Sequence, residues 1–121
     1  MKNKFIRFVL GFQGLYYLVT GGWAIVSLES FSGFTGHYGD AFEMHSMATL
    51  IVALGLFFLW GAANENLARP AGFLALGSAI AVALPELIHL PGENISVLFW
   101  LDFAEETSVA AVLAFLLFRR N

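Results

Sequence analysis

The chain has 121 residues, of which 59% are apolar and only 12% charged, with a formal net charge of −3 and no cysteine. Ordinary soluble domains are about half apolar and a quarter charged, and a chain this short could not cover so much apolar surface by folding on itself. The composition therefore excludes an ordinary soluble domain and a disulfide framework, and six basic residues leave no surface suited to nucleic acid.

Four apolar runs, over residues 5–28, 43–62, 71–90 and 97–118, each approach the ~20 residues that a helix needs to cross a ~30 Å hydrocarbon core. They predict an all-α, up-down bundle of four transmembrane helices in a single domain spanning 1–121. The first run starts from Lys2, Lys4 and Arg7, as a secretory signal would, but its apolar stretch is too long and a second span follows it. The runs also lack the polar stripe that a soluble bundle would turn to water.

Charge orients the spans. Lys2, Lys4, Arg7, Arg69, Arg119 and Arg120 all fall at one end of the runs. The positive-inside tendency makes that end, with both termini, cytoplasmic, in an integral protein of the cell (cytoplasmic) membrane. Eight of the nine carboxylates fall toward the other end, with Glu65 alone inside, and so do His37, His45 and His89.

Between the first two spans, residues 29–42 interleave Gly33, Gly36 and Gly39 with Phe31, Phe34 and Tyr38, which reads as a compact loop lying at the membrane interface. The inner turn, 64–70, ends in Pro70, suited to the first helical position of the third span. The outer turn Pro91-Gly92-Glu93-Asn94 is short enough to make the last two spans antiparallel neighbours. Small residues predict which faces pack in lipid. Gly11, Gly14, Leu18 and Gly22 share a face of span one that ends at Glu29, and Gly72, Ala75, Ala79 and Ala83 share a face of span three that ends at Glu86.

The chemistry lies in span four. Asp102, Glu105 and Glu106, spaced i, i+3 and i+4, put three carboxylates on one helix face. A carboxylate facing lipid at that depth is costly, so the face must turn into the bundle or a wet cavity. Glu86 and His89 share a face of span three across the short turn, and His45 begins a face of span two. Three clustered carboxylates cannot all stay ionised without a counter-charge, and no lysine or arginine is placed to supply one. The expected ligand and ion pocket is Glu86, His89, Asp102, Glu105, Glu106 and His45, with Glu29, His37, Asp40 and Glu43 contributing from the loop.

Glu86-x-x-His89 beside a second carboxylate helix has the vocabulary of di-metal bundles, and Glu86, His89, Asp102 and Glu105 form the metal set to test. An oxygen-rich set favours Mg²⁺, Ca²⁺ or Mn²⁺ over zinc. His45 and His89 fall near one surface, which leaves haem or chlorin as a weaker reading. Tyr16, Tyr17, Trp23, Trp60 and Trp100 read as interface anchors, and Gln13 and Ser78 as deeper groups bonded to a neighbouring helix. No nucleophile has a base beside it, and there is no phosphate-binding loop.

Leu28-Glu29-Ser30-Phe31 with Thr35-Gly36, then Asp40, Glu86, and Leu101-Asp102-Phe103-Ala104 with Glu106, together resemble a family of small, uncharacterised bacterial four-helix integral membrane proteins. The resemblance runs over most of the chain. It implies the four-span fold, and it marks Asp40, Glu86, Asp102 and Glu106. That family usually has aspartate at the position of Glu86, and often a basic residue where this chain has His45 or Ser46, so its ion pair does not carry over. It implies no activity.

The leading expectation is a non-enzymatic membrane protein whose outward pocket binds a proton, a cation or a small cationic ligand, with a small transporter as its furthest form. An accessory subunit of a respiratory, photosynthetic or transport complex is the alternative, and a metal-dependent membrane enzyme is the third reading. The expected partners are the lipid bilayer and either further copies of the chain or a larger membrane complex.

Overall fold

A computed structural model describes residues 3–35, 40–89 and 97–119. These are helical, with no strand among them: α1 (Lys4–Val26), α2 (Leu28–Thr35), α3 (Ala41–Ala63), α4 (Ala68–His89) and α5 (Val97–Phe118), with a 3₁₀ turn, Glu65–Leu67, leading into α4. His37, the rest of residues 36–39 and the turn 90–96 lie outside the described residues, as does the side chain of His89.

Three helices, Lys4–Val26, Ala41–Ala63 and Glu65–Ile88 with its 3₁₀ start, are long and apolar enough to cross a membrane. Between 22% and 33% of each apolar stretch is buried inside the chain, so most of their apolar surface faces outward. Phe8, Val19, Leu56, Trp60, Leu84 and Ile88 are among the large side chains left exposed. Helix α5 has 22 residues, about 33 Å of helix, and is set apart from the other three by Asp102, Glu105 and Glu106.

Helix α1 is the centre of the bundle. It packs most extensively on α3, α4 packs on α5, and α1 also reaches α4, α5 and α2. Against α3 it runs antiparallel in a seven-residue rhythm: Arg7 meets Ala62, Gly14 meets Gly55, and Gly21 meets Ala48. A Cβ on Gly14 would stand 2.9 Å from the Gly55 carbonyl oxygen, and one on Gly21 would stand 2.8 Å from that of Ala48. Backbones approach this closely only where no side chain intervenes. The packing face thus runs through Gly14 and Gly21; Gly22 has open space where its Cβ would be, and Gly11 makes ordinary contact with Ala62. On α4 the small-residue face is buried through Ala71, Gly72, Ala75 and Ala79, and reaches Glu86. Leu10, Phe58, Leu113 and Leu117 close the core between them.

Residues 29–35 of the segment expected as a loop are instead helical, in α2. Ser27 breaks α1, and its hydroxyl then accepts from the Ser30 amide at 3.4 Å, restarting the helix. Trp23 holds α2 against α1, donating to the Ser30 hydroxyl at 3.1 Å and packing edge-on to Phe31. Glu29 therefore lies on α2, exposed, and does not continue a stripe of α1. Pro70 falls in the first turn of α4 and not at its first residue; the amide it lacks has no intrahelical partner there.

The two ends of the bundle differ in charge. Arg7 Nε donates to the Ala62 carbonyl at 2.7 Å, and Arg69 Nη2 donates to the Leu117 carbonyl at 3.0 Å. Both guanidiniums thereby sit at helix C-termini, where the macrodipole favours a cation. Asn3 reaches the Glu65 carbonyl at the same end. The described basic residues Lys4, Arg7, Arg69 and Arg119 all belong to this arginine end, and α2 marks the opposite one.

Candidate functional site

Helix α5 turns its acids inward against α1. Glu106, the tenth residue of the helix and 1% exposed, accepts from the Gln13 amide at 2.9 Å and from the Tyr17 hydroxyl at 3.2 Å. One turn earlier, Asp102 accepts a short hydrogen bond from the Tyr16 hydroxyl. The two helices run antiparallel, so Gln13, Tyr16 and Tyr17, at i, i+3 and i+4 on α1, mirror Asp102, Glu105 and Glu106 at the same spacing on α5. Tyr17 is pinned from behind by the Phe58 ring of α3, with centroids 5.5 Å apart. Gln13 is fully buried.

Helix α4 brings in a fourth carboxyl. Glu86, 5% exposed, follows Pro85, whose ring removes the amide that would otherwise bond to the Ala81 carbonyl. Asp102, Glu106 and Glu105 all act electrostatically on Glu86. Glu106 and Asp102 likewise act electrostatically on Glu105. Neither oxygen of Glu105, nor Oε1 of Glu86, nor Oε1 of Gln13 receives a hydrogen bond, although all four atoms are buried. Among the described residues the charged neighbours of Glu86, Glu105 and Glu106 are one another and Asp102.

Of the residues anticipated for the pocket, the structure brings together Glu86, Asp102, Glu105 and Glu106. His45 is not with them: it is exposed on α3, a helix that packs on α1 and α4. Asp40 caps α3, accepting from the Glu43 amide at 3.1 Å, and Glu29 and Glu43 are exposed. His37 lies outside the described residues. Among those residues no group of three or more His, Asp or Glu side chains is placed to hold a metal ion. The three described members of the expected metal set, Glu86, Asp102 and Glu105, therefore do not form such a group.

Tyr16 and Tyr17, expected as interface anchors, turn out to be the donors that hold the acids, and Gln13 is the third. The mirrored i, i+3, i+4 spacing on α1 and α5 is the signal that could have found them.

No family model matches the chain, and no curated protein or solved structure shows significant similarity to it. Fold and composition alone define the class: an all-helical protein with three helices suited to cross a membrane.

Proposed function

We propose that this chain is a non-enzymatic integral protein of the cell membrane that crosses it four times and binds a proton or small cation in its acid pocket. The arginine end, with both termini, faces the cytoplasm, and the α2 end faces outward. The apolar exterior of three helices and the gathering of described basic residues at one end support this orientation.

One observation carries the ligand: Glu106, at mid-helix and 1% exposed, has three more carboxyls beside it and only neutral donors to hold it. Ionisable groups at membrane depth are expensive and persist where they work. Four carboxyls without a basic partner attract positive charge, whether a proton or a small cation. Four helices enclose little space, so a transport role calls for several copies of the chain around a shared path.

Reconstitution in liposomes tests the proposal. After an acid or salt jump, the wild-type chain takes up protons or cations, and the Glu105→Gln/Glu106→Gln double variant loses that uptake. Uptake unchanged in a folded double variant rejects the pocket.

A further inference from the structure

At the arginine end, the seam between α4 and α5 closes in alternating rings and guanidiniums. Arg69 donates from Nη2 to the Leu117 carbonyl at 3.0 Å and lies 5.8 Å from the centre of the Phe73 ring. Phe73 stands edge-on to Phe118, with centroids 5.5 Å apart, and the next residue, Arg119, lies 5.8 Å from the centre of the Phe115 ring. The hydrogen bond ties one guanidinium to the last turn of the helix that carries the other, so Arg69 and Arg119 flank the same end of α5.

Both arginines are exposed, and so are Phe73, Phe115 and Phe118. Among the described residues neither arginine is paired with a carboxylate; their partners are a carbonyl oxygen and aromatic faces. The one hydrogen bond of Arg69 leaves most of its N–H donors uncommitted. A guanidinium suits two-point bonding to phosphate, while phenyl rings have no polar edge and belong with hydrocarbon. One turn deeper than Phe73, Gly77 has open space where a side chain would stand.

We propose that this seam binds one anionic phospholipid, its phosphate held between Arg69 and Arg119 and its acyl chains laid over Phe73, Phe115 and Phe118 toward Gly77. The site rests on the membrane-spanning reading, which puts the arginine end at headgroup level, and not on the acid pocket. Charge complementarity selects the lipid: two guanidiniums without a carboxylate between them attract a phosphate and repel the ammonium of a zwitterionic headgroup. The other described cations lie elsewhere. Arg7 bonds to Ala62 between α1 and α3, and Lys4 begins α1.

Native mass spectrometry of the full chain released from detergent micelles tests the site, with phosphatidylglycerol and phosphatidylcholine of identical acyl chains as probes. The expected wild-type result is one phosphatidylglycerol retained per chain in preference to phosphatidylcholine. Arg119→Gln should weaken that binding about fivefold, the effect of one basic residue at a membrane surface, and Arg69→Gln/Arg119→Gln should weaken it about tenfold or more. Lys4→Gln removes the same charge from α1 and should leave retention unchanged. Equal retention of the two lipids by the wild type overturns the proposal and leaves the arginines to an acidic protein partner. An equal loss in Lys4→Gln and Arg119→Gln also overturns it, because net charge and not the seam would then hold the lipid. Inorganic phosphate alone should add no mass, and a phosphate adduct that displaces the lipid overturns the lipid as occupant. The wild-type comparison needs no substitution, so a variant that fails to fold cannot hide the answer. The membrane-spanning reading fails separately: a chain that alkaline carbonate strips from membranes is not an integral protein, whatever lipid it retains.

Discussion

Gln13 on α1 and Glu106 on α5 meet at 2.9 Å across 93 residues of chain. This bond, with that from Tyr17 at 3.2 Å, fixes the register of α1 against the acid face of α5. Gln13→Leu removes the amide donor and leaves Glu106 on a single neutral hydrogen bond. It should cost about 1–3 kcal/mol, against about 1 kcal/mol for Tyr17→Phe. The two share one acceptor atom, so a double-mutant cycle on unfolding in mixed detergent micelles should give a coupling of about 0.5–3 kcal/mol. Strict additivity would mean that the two donors act independently.

The contact of α1 with α3 should be intolerant of a single methyl group. In Gly14→Ala and Gly55→Ala the new Cβ falls 2.9 Å from the facing carbonyl oxygen. Each should lose about 1–3 kcal/mol through overpacking. Gly22→Ala, with nothing within 4 Å of its Cβ, should be neutral or slightly stabilising. Equal stability of all three variants would place the close approach elsewhere.

The absence of cysteine makes topology directly measurable, since any introduced thiol is unique. Glu29 on α2 and Glu65 in the 3₁₀ turn are both exposed, at opposite ends of the bundle. In intact cells a membrane-impermeant maleimide should label Glu29→Cys, and Glu65→Cys only after permeabilisation. The reverse pattern would invert the proposed orientation, and labelling of both would end it.

Helix α3 starts on a side-chain cap. Asp40 accepts from the Glu43 amide at 3.1 Å, so Asp40→Ala should destabilise the chain by about 1 kcal/mol and Asp40→Asn by much less. The acid pocket lies on other helices, and ion uptake should survive both substitutions. Loss of uptake in Asp40→Asn would draw this residue into the site.

Much of the pocket could be read along the chain. Asp102, Glu105 and Glu106 share a face because helical geometry is local, and Glu86 ends a run of small residues that packs for the same local reason. The inward direction of these acids followed from the cost of a carboxylate in lipid. Their partners did not follow, because a tyrosine near a helix end looks the same whether it anchors to an interface or bonds to an acid. The same holds for His45, exposed on α3: nearness to one end of a helix says nothing about which neighbour the helix will turn toward.

The sequence by itself determined the helices, the apolar exterior and the concentration of acids and bases at opposite ends, since these depend on hydrophobic length and on charge counted along the chain. Only the tertiary structure decided that Ser27 restarts a helix where glycines and aromatics had suggested a loop. It alone set Gly21 and not Gly22 against α3, and joined Gln13, Tyr16 and Tyr17 to Asp102 and Glu106. Those outcomes turn on the rotation of one helix about its axis relative to another. That rotation is fixed by the sum of side-chain contacts over whole helix faces, which no local spacing contains.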